Sequence, residues 1–138
     1  MIELHFDVDG NDFTLAGECS SKVKKMLTQI GIAPAVIRKT AIAMYEGEIN
    51  MVIHANGGKI DVMVEPEKIT VILKDTGPGI KDIKKAMEEG FSTATNQVRE
   101  LGFGAGMGLP NMEKYSDEME IDTVLGEGTT VKMVFYCN

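Results

Sequence analysis

The chain has 138 residues, of which 43% are hydrophobic and 25% charged, and its 21 acidic against 14 basic residues give a formal net charge of -7. That length and apolar content suit one globular domain spanning residues 1–138, and the acidic balance excludes a main role that depends on neutralising many phosphates, so no direct nucleic-acid contact is expected. Cys19 and Cys137 form neither a CxxC pair nor a zinc-type cluster, and no apolar stretch has the length of a membrane span or the flanks of a signal peptide, which points to the reducing cytoplasm and away from the membrane.

Ile2, Leu4, Phe6 and Val8 alternate with Glu3, His5 and Asp7, and "DGND" offers turn residues before the short run from Phe13 to Ala16. Together these predict an N-terminal β-hairpin. Ser20 and Ser21 form a candidate N-cap pair for an amphipathic helix with Val23, Met26, Leu27 and Ile30 on one face, ended by Gly31. A longer helix is predicted from about Ala35 to Ala55, with apolar positions over half its circumference and hence mostly buried. Lys59 to Val64 and Ile69 to Leu73 alternate and are joined by "EPEK", which reads as an antiparallel pair. Lys81 to Glu89 suits a short helix, whereas Gly90 to Gly106, increasingly glycine-rich, reads as a mobile loop. Helical spacing returns with Leu109, Met112 and Tyr115, and two final strands, Met119 to Leu125 and Thr129 to Tyr136, are split by the turn signal "GEG".

Three stretches carry candidate chemistry. "DTGPGI" leaves a strand with Asp75 at its end, and Gly77, Pro78 and Gly79 form a tight turn open to close backbone approach; an ordinary Asx-turn explains the same residues. "GFGAGMGL" runs from Gly102 through Gly104 and Gly106 to Gly108 at a helix start, where exposed N–H groups and the helix dipole suit an anion. It lacks the Lys-Ser/Thr of a Walker A loop and the preceding strand of a dinucleotide turn. On the long helix, Glu46 and Asn50 lie about 40° apart on the polar face, with His54 one turn on. This set suits hydroxyl activation beside a magnesium-bound phosphate, although each residue alone also fits a solvated helix edge. Gly47 inside the helix signals close packing or ligand approach, while Glu48 falls within the apolar arc and Met51 follows Asn50.

In order, "E46xxxN50", "D75TGPG79", "G104AGMG108L" and "G128TT130" resemble the N, G1, G2 and G3 boxes of the GHKL, or Bergerat-type, ATP-binding superfamily, over residues 35 to 136. The short chain, its N-terminal hairpin and helix, "GMGL" entering a helix and the closing "GEGTTV" are most similar to the stand-alone anti-sigma factor serine/threonine kinases. The resemblance implies an α+β fold: a two-layer α/β sandwich, a mixed, mostly antiparallel sheet with helices on one face, and a flexible ATP lid over Gly90 to Gly106. It also implies ATP and Mg2+ as cofactors, Glu46 as the base for an attacking hydroxyl, Asn50 as the Mg2+ ligand and Asp75 on the adenine amino group with Thr130 supporting it through water. Gly77 and Gly79 would shape the adenine pocket, and Gly104, Gly106 and Gly108 would face the phosphates. The implied partners are an anti-anti-sigma-type protein substrate and a sigma factor, with a homodimer as a further expectation. Two alternatives stay open: a nucleotide-gated binding module without phosphotransfer, and the detached ATP-binding half of a histidine kinase.

Overall fold

Alternation in the strands and the 3.6-residue period in the helices divide the chain into one sheet and helices that cover it. The computed structural model describes residues 1–10, 17–55, 57–80, 87 and 108–137. Its elements are β1 (Ile2–Asp9), α1 (Glu18–Gln29), α2 (Pro34–His54), β2 (Gly57–Val64), β3 (Lys68–Lys74), α3 (Gly108–Tyr115), β4 (Glu118–Val124) and β5 (Gly128–Tyr136). The second arm of the expected hairpin, the expected lid and all but Met87 of the expected helix at 81–89 lie outside the described residues.

The strands form a five-stranded sheet in the order β1-β2-β3-β5-β4, with every described neighbour antiparallel. Register places Leu4, Val62, Val71, Met133 and Met119 in one cross-strand row and His5, Asp61, Ile72, Lys132 and Glu120 in the next. Adjacent rows point to opposite faces. The first row joins the apolar core, where Val62, Val71 and Met133 are fully buried, while His5, Lys132 and Glu120 of the second are exposed. Among the described residues, β1 pairs with β2, a long-range partner.

Helix α2 is central, packing on α1, α3 and strands β1, β2, β3 and β5. Its contacts on several sides explain the wide apolar arc read from the sequence. No helix among the described residues is long and apolar enough to cross a membrane.

Helix α1 begins at Glu18, two residues before the serine pair, with Gly17 as N-cap and no cap bond from its own side chain. The cap comes from α2 instead. Buried Glu48 accepts the N–H groups of Gly17 (2.9 Å) and Cys19 (3.2 Å) on Oε2, and the N–H (3.1 Å) and hydroxyl (2.7 Å) of Ser20 on Oε1. A charged residue inside an apolar arc is thereby paired with donors that would otherwise be orphaned at a helix start. The same carboxylate and, above all, burial push the Cys19 thiol up to about 12. At the other end, Gly31 N–H bonds the Thr28 carbonyl (3.2 Å) and Ile32 N–H the Leu27 carbonyl (3.1 Å), a Schellman closure that leaves Ile30 outside the core, 44% exposed. Met51, which follows Asn50, is buried, and its Cε occupies space that a side chain at Gly58 would need.

Candidate active site

The last turns of α2, the start of α3 and the turn after β3 converge. At position 108 an added Cβ would stand 2.7 Å from both amide atoms of Asn50, so a side chain there would displace that amide. One turn along α3, Asn111 Nδ2 donates to Glu46 Oε1 at 3.4 Å. Between them Met112 is buried, its sulfur 3.9 Å from Asn50 Nδ2 and its Cε against Gly47. Thus Glu46 and Asn50, four apart on α2, face Asn111 and Gly108, three apart on α3. Gly47 serves close helix packing, since a Cβ there would lie 2.6 Å from Leu73 Cδ2.

Glu46 is half-buried, and burial raises its carboxyl above the usual carboxylate range, opposed by the Asn111 hydrogen bond. A carboxylate so placed can take a proton from a hydroxyl. The Asn50 carbonyl oxygen meets no donor among the described residues, so it can ligate a cation.

Asp75 closes the turn from β3. Its Oδ1 accepts the N–H of Gly77 (2.9 Å) and of Thr129 (3.1 Å), and its own N–H bonds the Thr129 carbonyl at 2.9 Å. Both described bonds to its side chain end on Oδ1, which leaves Oδ2 able to accept from a ligand. Gly77 packs on the end of α2, where a Cβ would lie 2.7 Å from that of Ala55, and Gly79 takes φ 81, a left-handed conformation suited to glycine. The turn is further joined to the β4–β5 hairpin by Gly126 N–H to the Pro78 carbonyl at 2.9 Å. That hairpin turns through Leu125, Gly126 and Glu127, one residue earlier than "GEG" suggested.

Thr130 pairs with Lys74 and Asp122 across the sheet, on the face opposite Thr129. The structure therefore brings Thr129, not Thr130, beside Asp75. The two threonines are adjacent in sequence, and strand alternation sends them to opposite faces. Sequence reading also missed Asn111 and Thr123; Asn111 lies three residues after Gly108, on the same face of α3, and that helical spacing would have pointed to it. Gly104 and Gly106 lie outside the described residues, as does the side chain of His54.

Residues 12–135 match the family model described as the histidine kinase-like ATPase domain. The chain is 37% identical over 103 residues to the anti-sigma F factor of Caldanaerobacter subterraneus subsp. tengcongensis, covering 71% of this chain and 67% of that protein. It is 30% identical over 127 residues to the serine/threonine-protein kinase RsbT of Bacillus subtilis, covering 89% of this chain and 87% of that one. Among solved structures, the RsbU and RsbW domains of Rv1364c from Mycobacterium tuberculosis align with TM-score 0.67 at 17% identity, over 98% of this chain and 32% of that one. The mycobacterial sensor histidine kinase MprB aligns with TM-score 0.54 at 15% identity, over 98% and 97%. At such identities these two structures speak to the fold alone.

Proposed function

Since this chain belongs to the histidine kinase-like ATPase family, we propose that it is an ATP-dependent serine/threonine protein kinase of the anti-sigma regulatory class. It transfers the γ-phosphoryl group to a hydroxyl of an anti-anti-sigma-type protein and, while that partner is absent, holds a sigma factor inactive, so regulating transcription in the cytoplasm. The names of two relatives, an anti-sigma F factor and a serine/threonine-protein kinase, support the reading. The observation that carries it is the opposition of Glu46 and Asn50 on α2 to Asn111 and Gly108 on α3, beside the Asp75 turn.

Asp75 Oδ2 accepts from the adenine amino group, with Thr129 at its side, and Gly77 and Gly79 let the base lie against the turn. Guanine would oppose a carbonyl to this carboxylate, so ATP is favoured over GTP. Asn50, whose amide Gly108 leaves room for, would hold Mg2+, which would supply neutralisation of the phosphate charge. Glu46 takes the proton of the attacking hydroxyl as its oxygen bonds to the γ-phosphorus and the bond to ADP breaks. Gly108 faces the phosphates.

The test is transfer from ATP labelled in the γ-phosphate, with Mg2+, to proteins of a soluble extract of the native cell. An acid-stable labelled band is expected, reduced about 10²- to 10⁴-fold by Glu46→Gln with ATP binding retained. Equal labelling by the Gln protein would remove Glu46 from the role of base. ATP binding without any band would favour the nucleotide-gated module, and an acid-labile band the detached histidine kinase half.

A further inference from the structure

Thr123 stands directly opposite Thr129 across the β4–β5 pair and is half-buried. Its Oγ1 accepts the Ile80 N–H at 2.8 Å and lies 2.9 Å from Thr129 Oγ1 and 3.3 Å from the Gly128 carbonyl oxygen. The turn from Asp75 to Ile80 is thus held to the hairpin along its whole length: by Asp75 and Thr129 at the near end, by Pro78 and Gly126 in the middle, and by Ile80 and Thr123 at the far end. In the last of these ties the hairpin contributes a side chain.

A hydroxyl has one proton and two lone pairs. One lone pair of Thr123 takes the Ile80 N–H, so its proton and second lone pair divide between Gly128 and Thr129. When Thr123 donates to the Gly128 carbonyl, Thr129 donates to Thr123 and has only lone pairs left for a ligand. When Thr123 donates to Thr129 instead, the Thr129 proton is free for a ligand acceptor. Thr123 therefore governs what the Thr129 hydroxyl can offer.

We propose that Thr123 is a positioning residue for nucleobase recognition, acting through Ile80 on the turn and through the hydroxyl of Thr129, the residue whose backbone N–H bonds the Asp75 carboxylate. This rests on the reading of Asp75 as the carboxylate that recognises adenine. Thr123 has no part in the transfer step, so its loss weakens nucleotide binding and spares turnover.

The experiment compares the full chain with Thr123→Val and Thr123→Ser, measuring Mg2+–ATP binding by calorimetry and the kcat and KM of transfer. Valine keeps the side-chain shape and suits a strand, while leaving the Ile80 N–H and the Thr129 hydroxyl without their partner. We expect Kd and KM for ATP to rise about tenfold with kcat within about twofold, and serine to restore both constants. Unchanged Kd in the valine protein, or equal losses in the valine and serine proteins, would overturn the inference while leaving the kinase reading intact. Failure of the unaltered protein to bind Mg2+–ATP would instead overturn the proposed function, and this inference with it. Should the valine protein not fold, Thr123→Cys, with a thiol in place of the hydroxyl, gives the same readout, and unchanged binding there overturns the inference equally.

Discussion

Replacing Glu48 with glutamine isolates the cap that α2 supplies to α1. The carboxylate accepts four bonds, two on each oxygen, from Gly17, Cys19 and Ser20. Glutamine has one oxygen, which best keeps the Gly17 and Cys19 N–H groups; its NH2 then confronts the Ser20 N–H, while the Ser20 hydroxyl can rotate to accept. The variant loses a hydrogen bond to a charged group, about 1.5–3 kcal/mol, and a negative charge at a helix N-terminus, up to about 2 kcal/mol when partly buried. Because the two contributions overlap, about 3 kcal/mol is expected, a fall in Tm of roughly 10 °C for a domain of this size. Ser20→Ala removes one hydroxyl donor and should cost about 1 kcal/mol. Urea unfolding followed by circular dichroism measures both. A Glu48→Gln protein within about 0.5 kcal/mol of the unaltered one would mean that the cap contributes no more than an ordinary surface contact.

Gly108→Ala forces a Cβ into the Asn50 amide; Mg2+-dependent transfer should drop by about 10²-fold with little change in melting temperature, and full activity would refute a role for that amide. Asn111→Leu removes the bond that opposes the upward shift of Glu46; the acid limb of the pH–rate profile should move to higher pH, and a limb that stays put counts against Glu46 as the base. On the open face of the sheet, His5 is raised chiefly by its 2.6 Å hydrogen bond to Asp61. Its contribution is therefore present below the ordinary histidine range and is lost as pH rises through the raised folded value. The stability gap between the unaltered and Asp61→Asn proteins should be wider at about pH 6 than at about pH 9 in denaturant titrations, and a gap independent of pH would contradict this.

Local pattern sufficed for much of this. Alternation at Ile2 to Val8 and Lys59 to Val64 marks strands, the helical period from Ala35 to Ala55 marks α2 within a residue at each end, and Asp75, Gly77 and Gly79 name their own turn. Backbone propensity and burial periodicity act over a few residues, and a sequence displays them directly. What depended on tertiary structure was every contact between remote elements: β1 on β2, the Glu48 carboxylate at the start of α1, Asn111 on Glu46, and Thr123 between Ile80 and Thr129. The choice of Thr129 over Thr130 belongs with them. In a strand the side chain changes face at each residue, so which threonine meets Asp75 is decided by the register of β5 against β3, a relation between segments more than 50 residues apart.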